Sequence, residues 1–302
     1  MIKLLVTGTV AVDSVETPFG KKDQVFGGSA SYFSYSASFF STVSLMAVVG
    51  DDFPEEYRKV LAERKIDLKG LQVLAGGKTF RWKGKYGFDL NVAHTLETQL
   101  NVLQDFSPSL KDDRDVEYLF LANIDPDIQL RLLDEVHHAK TKLIAVDTMN
   151  FWIHNKKPSL LNVLKRVHLI VLNDGETRDL TGEPNLVRAA RKIQEMGPDK
   201  VIIKKGEHGV LFFDGKYFSA LPAYPLESVF DPTGAGDTFA GGFMGYVAKT
   251  GDLGFENLKK AVAYGSIMAS FVVEDFGLDR MRRLTPAEID ARLKNFKTFS
   301  TF

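Results

Sequence analysis

Short apolar runs recur along the chain and predict buried strands. They cover residues 3–7, 116–121, 143–146, 169–172 and 201–204. Runs of this length are expected of strands covered on both faces, as in parallel sheets flanked by helices. The stretches between them, for example residues 128–137 and 186–196, have the pattern of helices. This order predicts an α/β fold with a doubly wound, mostly parallel sheet, in which ligands bind beyond the carboxyl ends of the strands.

Two other segments have a different pattern and are predicted to stand off this core. Residues 79–88 alternate aromatic and basic side chains with a period of two, which is typical of a strand with one apolar and one wet face. Residues 15–26 mix β-forming residues with Pro18, Gly20 and a charged tip, and we interpret them as a hairpin.

The composition is that of a globular protein and narrows the range of partners. The chain has 302 residues, of which 44% are hydrophobic and 25% charged, and its net charge is -1. With no run of basic residues, we expect neither nucleic acid nor a membrane surface as a partner. The chain contains no cysteine, which excludes disulfides and thiolate metal sites. We expect a cytoplasmic protein.

The segment 231–243 carries the strongest chemical signal. It reads Asp-Pro-Thr-Gly-Ala-Gly-Asp-Thr-Phe-Ala-Gly-Gly-Phe, with Gly234 and Gly236 just before an apolar helical run. A glycine turn at a helix N-terminus presents free N–H groups and can hold an anion. Asp237, in the first turn of the helix, is suited to act as a base, although a helix-capping role explains a short isolated motif of this kind better.

The whole segment resembles the C-terminal signature of the ribokinase-like (PfkB) carbohydrate and nucleoside kinases. The resemblance implies one ribokinase-like domain over residues 1–302, with a β-sheet lid formed by two insertions at about 14–26 and 71–104. It also implies transfer of a phosphoryl group from ATP to a substrate hydroxyl, expected to be a hydroxymethyl group. Asp237 is then the catalytic base, and the amides of Gly234, Ala235 and Gly236 form the anion hole.

Further matches to the family imply residues that bind the substrate. Asp13 follows the first strand, and Gly27-Gly28 resembles the glycine pair of the N-terminal signature. Tyr32 stands where many members have Asn, so the sequence departs from the family at that position. The remaining candidates are Phe80 and Trp82 on the lid and Asn150 after the strand at 143–146.

The resemblance also implies residues for ATP and metal ions. The segment 173–176 matches an Asn-x-x-Glu motif in which the carboxylate of Glu176 organises Mg²⁺, largely through water, although a helix cap explains an isolated tetrapeptide better. Asp231 is a candidate for a monovalent cation such as K⁺, as in many relatives. The residues expected to contact ATP are Asn173, Lys204, Lys205, Gly206, Gly209, Thr233 and Gly265. Lys204 is a departure, because the family often has Thr there.

The substrate remains open between two classes. Asp13 and the glycine pair suit a sugar, which is the preferred interpretation, whereas the lid aromatics, including Tyr86 and Phe88, offer stacking faces for the base of a ribonucleoside such as adenosine, cytidine or guanosine. Those aromatics could equally pack the lid or a homodimer interface. A catalytically idle sugar or nucleoside sensor is a more remote alternative.

Overall fold

The computed structural model describes residues 1–110 and 114–300 and contains two β-sheets. The strands are β1 Ile2–Thr7, β2 Ala11–Thr17, β3 Gly20–Gly27, β4 Ser44–Gly50, β5 Asp67–Leu74, β6 Phe80–Tyr86, β7 Ala93–Gln99, β8 Val116–Leu121, β9 Leu143–Asp147, β10 Leu169–Asn173, β11 Lys200–Lys204, β12 Val210–Asp214 and β13 Tyr217–Leu221. The helices are α1 Ser29–Ala37, α2 Glu55–Glu63, α3 Pro126–Glu135, α4 Asn150–Asn155, α5 Lys157–Leu164, α6 Asp174–Thr181, α7 Leu186–Met196, α8 Ala235–Thr250, α9 Phe255–Val272, α10 Asp279–Arg282 and α11 Pro286–Ser300.

The large sheet has nine strands in the order β13-β12-β11-β10-β9-β8-β1-β4-β5. All neighbours from β11 to β5 are parallel, and only β12 and β13 join antiparallel. The five predicted strands are therefore confirmed as members of one α/β sheet. The strand order also reverses direction beside β1, as in a doubly wound fold.

Both faces of this sheet are buried, which explains the continuous apolar runs. In β8, Tyr118 and Phe120 belong to one core cluster, while Leu119 and Leu121 belong to the other. Side chains alternate across a strand, so a strand between two helical layers needs apolar residues at every position.

The small sheet has the order β3-β2-β6-β7, with β2 and β6 parallel. It combines the predicted hairpin with the alternating segment, as the lid interpretation requires. The insertion predicted at about 71–104 begins too early, because residues 71–74 complete β5 and pair with β4 in the large sheet. Side chains of β7 are exposed throughout, so this edge strand carries no burial pattern that sequence reasoning could detect.

Helix ends differ from the sequence expectations in two places. The helix predicted over residues 128–137 ends at Glu135, and the apolar helical run predicted after Gly236 belongs to a helix that already begins at Ala235. Within the described part of the chain, no helix is both long and apolar enough to cross a membrane.

Candidate active site

Polar side chains lie at the carboxyl ends of neighbouring strands in the large sheet. Asp147, Asn173 and Lys204 are the last residues of β9, β10 and β11. In the parallel ladders, Asn173 pairs with Lys204, and Asp147 pairs with Val171. The three side chains therefore start from the edge at which a doubly wound sheet binds its ligands.

The turn before α8 has a left-handed geometry that glycine adopts without strain. Gly234 caps the helix with φ 76° and ψ 2°. A Cβ at this position would lie 2.5 Å from ring atoms of Tyr32, so the turn packs directly on that side chain. The N–H of Ala235 donates to the carbonyl of Pro232 at 3.1 Å. One of the three amides predicted to form the anion hole is thus engaged within the turn.

Asp237 lies in the first turn of α8, as the sequence predicts. Burial and the negative charge of Asp147 raise the pKa of its carboxyl to about 7, while the positive charge of Lys204 opposes the shift. A carboxyl group with a pKa near 7 can both accept and release a proton at neutral pH. Its position and environment therefore permit general-base chemistry.

Lys204 and Asp147 form an ion pair beside this turn. Nζ of Lys204 lies 3.3 Å from Oδ2 of Asp147, and the two side chains are only 18% and 6% exposed. A Cβ at Gly236 would lie 2.7 Å from the same ammonium nitrogen. Burial opposes the charge on Lys204, but the carboxylates of Asp147, Glu176 and Asp237 outweigh it and raise the pKa of the ammonium.

In this region the sequence predicts Asn150 as a substrate contact and gives Asp147 no role beyond opening the segment that ends at Asn150. Asn150 is exposed, and its side-chain oxygen accepts a hydrogen bond from the N–H of Phe151. Asp147 is the residue of that segment that joins the charged cluster. The signal was available, because Asp147 directly follows the apolar run at 143–146 and therefore ends a predicted strand.

Asn173 and Glu176 form a capping box at the start of α6. Oδ1 of Asn173 accepts the N–H of Glu176, and Oε2 of Glu176 accepts the N–H of Asn173, both at 2.7 Å. The helix-cap interpretation left open by the sequence is therefore confirmed. Burial, opposed by the charge of Lys204, raises the pKa of Glu176 to about 7.

The donor set suits a metal ion that is held mainly by phosphates and water. Among residues 1–110 and 114–300, no three His, Cys, Asp or Glu side chains are placed to hold a metal together. Mg²⁺ binds oxygen ligands and usually keeps several waters, so one carboxylate such as Glu176 beside nucleotide phosphates fits its chemistry.

Asp13 is a buried acid on the inner face of the small sheet. Its side chain lies against Gly27, where a Cβ would come within 1.9 Å of Oδ2, so the close approach requires glycine. Oδ1 has no hydrogen-bond partner among the described residues. Burial raises the pKa of Asp13 to about 8, against hydrogen bonds from the N–H groups of Gly28 and Trp82. Such an unpartnered buried oxygen is open to a ligand hydroxyl.

Tyr32, at the position where the family pattern has Asn, is also buried, and its hydroxyl likewise lacks a partner among the described residues. Burial raises the pKa of Tyr32, and the charges of Asp231 and Asp13 add to the shift. The phenol therefore lies within electrostatic range of both acids.

The lid aromatics have different environments. Phe80 packs against the hydrophobic core, and Phe88 is 94% exposed. Nε1 of Trp82 donates to Thr95 at 3.1 Å, and Trp82 pairs with Asp13 across the sheet. Tyr86 is buried, and its hydroxyl accepts a hydrogen bond from Thr233 at 3.2 Å. The contacts of Phe80 thus indicate packing, whereas Trp82 shares the inner face with Asp13.

The loop after β11 contacts the tip of the lid. Gly206–His208 forms a tight turn, closed by a hydrogen bond from the N–H of Lys205 to the carbonyl of Gly209 at 2.8 Å. Nδ2 of Asn91, between β6 and β7, donates to Oε2 of Glu207 at 2.6 Å. The small sheet therefore contacts the loop that the sequence predicts to bind ATP.

Gly265, another predicted ATP contact, has a packing explanation. It lies within α9, and a Cβ there would lie 2.8 Å from the carbonyl oxygen of Phe239 in α8. The glycine therefore allows α8 and α9 to pack closely.

Asp231 connects the glycine turn before α8 to the loop after α9. Its carboxylate accepts the N–H of Thr233 at 2.9 Å and the N–H of Gly277 at 3.3 Å. Burial raises the pKa of this acid. Asp231 therefore has a structural role in holding both loops.

The chain has a ribokinase-like α/β sheet with a second small sheet, and an acid lies at the start of a glycine-capped helix. Together these features define a class of small-molecule kinases. The chain matches the model of the pfkB family carbohydrate kinases over residues 21–283, and it belongs to that family. PfkB-family kinases are ATP-dependent phosphotransferases with an alcohol group as acceptor, and this is the enzyme class of the chain.

The relatives include both nucleoside kinases and ribokinases. The chain is 33% identical over 250 residues to a cytidine kinase of Thermococcus kodakarensis, covering 81% of this chain and 88% of the relative. Its fold is similar to that of a nucleoside kinase of Burkholderia thailandensis in complex with inosine, with a TM-score of 0.80, 19% identity and coverage of 99% and 100%. A nucleoside kinase of Methanocaldococcus jannaschii gives a TM-score of 0.79 at 21% identity, with coverage of 97% and 99%.

Proposed function

We propose that this protein is an ATP-dependent nucleoside kinase that phosphorylates the hydroxymethyl group of a ribonucleoside, with cytidine as the first candidate. The observation that carries the proposal is the similarity to the cytidine kinase of T. kodakarensis over most of both chains. The sequence alone favours a free sugar, whereas the similarity to cytidine and nucleoside kinases supports the nucleoside alternative.

Asp237 is the proposed base. As the substrate oxygen attacks the γ-phosphorus, its proton passes to the Asp237 carboxylate, and the bond from phosphorus to the ADP oxygen breaks. The pKa of about 7 supports this role, because the carboxylate is substantially ionised at neutral pH and still basic enough to take a proton.

The turn over residues 234–236 is proposed to stabilise the negative charge on the transferring phosphoryl group. Backbone N–H groups at a helix N-terminus are fixed donors and need no reorganisation during the reaction. Because the N–H of Ala235 donates to Pro232, a phosphoryl oxygen must either replace that carbonyl or bind the N–H groups of Gly234 and Gly236.

Metal ions are proposed at two places. Mg²⁺, when bound with ATP near Glu176, supplies positive charge that offsets the phosphates. Asp231 is the proposed neighbour of a monovalent cation, since its buried carboxylate holds both loops that would surround the ion. Turnover that is equal in sodium-only, potassium-only and cation-free buffers would remove the second proposal.

The substrate subsite is proposed around Asp13. A ribose carries adjacent hydroxyl groups, and the unpartnered Oδ1 of Asp13 and hydroxyl of Tyr32 are suitable partners for them. Trp82, opposite Asp13 in the ladder, offers an aromatic surface to a base on the same side of the lid.

The test is ADP release with Mg²⁺-ATP over a panel of cytidine, uridine, adenosine, guanosine, inosine, ribose and fructose. We expect the highest kcat/KM with a pyrimidine ribonucleoside and loss of the signal in Asp237→Asn. A preference for free sugars would reject the nucleoside proposal. Calorimetric binding of a nucleoside without turnover would favour the idle sensor.

A homodimer through the lid is proposed as the form in solution. The edge strand β7 is exposed along its length, and Leu96 within it is 54% exposed. An uncovered edge with apolar side chains is a favourable surface for pairing. Light scattering that gives the mass of one chain across micromolar concentrations would contradict this assembly.

A further inference from the structure

Lys204 lies between the Asp147 carboxylate and the turn before α8. We propose that the Lys204 ammonium contacts a non-bridging oxygen of the transferring phosphoryl group, and that Asp147 is the positioning residue that holds the ammonium there before ATP binds. The inference rests on the proposed kinase function and assigns a further catalytic residue to it.

The first support is position. The ammonium nitrogen lies 2.7 Å from where a Cβ would be at Gly236, so it contacts the turn that is proposed to hold the phosphoryl group. Lys204 ends β11 next to Asn173, the last residue of β10. The cation therefore lies beside the turn amides that are proposed to hold the phosphoryl oxygens.

The second support is charge. Asp147, Glu176 and Asp237 all act electrostatically on Lys204, and Asp147 is in direct contact with it at 3.3 Å. Three acids in one cleft repel the phosphates of ATP unless a cation offsets them. Among the described residues Lys204 forms one ion pair, to Asp147, and a lysine ammonium has three N–H donors, so further donors can serve a phosphoryl oxygen.

Lys204 forms and breaks no bond in the chemical step. The substrate oxygen forms a bond to phosphorus, the bond to the ADP oxygen breaks, and the hydroxyl proton goes to Asp237. Lys204 remains protonated throughout and stabilises charge on the phosphoryl oxygens.

The test compares Lys204→Met with a matched control at the other end of the same strand. Lys200 of β11 pairs with Asp214 at 3.1 Å, and these side chains are 17% and 19% exposed. Lys200→Met therefore removes a similar ion pair away from the proposed site. We expect Lys204→Met to lower kcat at least ~100-fold, as for the loss of one charge-stabilising donor, and Lys200→Met to leave kcat unchanged. Equal effects of the two variants would overturn the proposal.

Nucleotide binding without nucleoside gives a readout that is independent of turnover. In calorimetry, Lys204→Met should weaken binding of the β,γ-imido analogue of ATP at least ~10-fold and weaken binding of ADP much less, because only the analogue carries the γ-phosphoryl group. Equal weakening of both nucleotides contradicts contact with the transferring group. This comparison remains informative even when no nucleoside is a substrate, so the two proposals can fail separately.

A double variant separates direct contact from neutralisation of Asp147. Removing only Lys204 leaves a buried carboxylate without its partner and could unfold the site, whereas Asp147→Asn with Lys204→Met removes both charges. If Lys204 contacts the phosphoryl group, the folded double variant stays at least ~100-fold slower than Asp147→Asn alone. Recovery to the rate of Asp147→Asn would mean that Lys204 only balances Asp147, and the proposal would be wrong.

Discussion

Asp13 is a buried acid and Asp237 a half-buried one, and both have raised pKa values, but their surroundings differ. Asp237 begins a helix and has Lys204 among the charges that act on it, and its pKa is raised to about 7. Asp13 lies on a strand of the small sheet, where the charges acting on it come from the other acids Asp231 and Asp237, and its pKa is raised to about 8.

This difference indicates different tasks for the two acids. The nearby cation and the helix N-terminus favour the ionised form of Asp237, which a base requires. Asp13 lacks such support and is held largely protonated at neutral pH until a ligand supplies hydrogen-bond donors. The difference therefore agrees with the roles proposed above, in which Asp237 accepts a proton and Asp13 binds substrate hydroxyls.

The largest expected effect is on turnover. Asp237→Asn keeps the shape of the side chain but removes the base, so we expect kcat to fall at least ~10²-fold. Binding of ATP, measured by calorimetry, should be retained, and circular dichroism should give the wild-type spectrum. An Asn variant that remains active would contradict the assignment of the base.

Asp13→Asn should act mainly on substrate binding. Loss of a hydrogen bond between a substrate hydroxyl and a charged group costs ~1.5–3 kcal/mol, or about 10- to 100-fold in affinity. We expect KM for the nucleoside to rise by this factor while KM for ATP stays nearly constant. A variant in which both KM values rise equally would place Asp13 in general support of the fold.

The glycine turn and the acid that follows it could be predicted from the sequence because they are neighbours in the chain. The turn at 233–236 and Asp237 could be located because the glycines, the acid and the apolar helix that follows are contiguous in the chain. Asp147 opens a segment that resembles the family, but its own role could not be predicted, because its partner Lys204 is 57 residues away in the chain.

The environments of the lid aromatics could not be predicted from the alternating sequence pattern. Its aromatic residues belong to one short segment, yet Phe80 packs on the core, Tyr86 bonds to Thr233 and Phe88 is exposed. Alternation identifies the face on which a side chain lies but not what covers it, since the cover comes from distant segments. The exposed edge strand β7 has no burial pattern at all.

The raised pKa of Asp13 also predicts a pH dependence of stability. Its pKa is about 8 in the folded protein and 3.8 as the ordinary value. The folded state therefore binds the Asp13 proton more tightly than the unfolded state. The stabilisation of the fold by this proton is fully present below pH 4 and is lost as the pH rises to 8. The slope from one such group is at most ~1.4 kcal/mol per pH unit. Urea unfolding should show that Asp13→Asn reduces the loss of stability between pH 5 and 8.5.

Glu288 provides a control, because its pKa is shifted in the opposite direction to that of Asp13. Hydrogen bonds from Thr285 and Arg280 lower its pKa to about 2, so its contribution is lost only as pH falls through that region. Glu288→Gln should change stability equally at pH 5 and 8.5. An Asp13→Asn variant that behaves in the same way would contradict the protonated state of Asp13.

The smallest expected effect concerns the contact between the small sheet and the loop after β11. The hydrogen bond between Asn91 and Glu207 joins exposed residues, and bonds of this kind contribute ~0.5–1.5 kcal/mol. Asn91→Ala should therefore raise KM for ATP about 2- to 10-fold and leave the pH dependence of kcat unchanged. Glu97→Ala is the matched control, because Glu97 on β7 bonds only to Gln99 of the same strand among its described side-chain contacts.

If Asn91→Ala and Glu207→Ala have additive effects on KM, the contact does not couple the lid to the nucleotide loop. A double variant no worse than either single variant would show that the coupling is real.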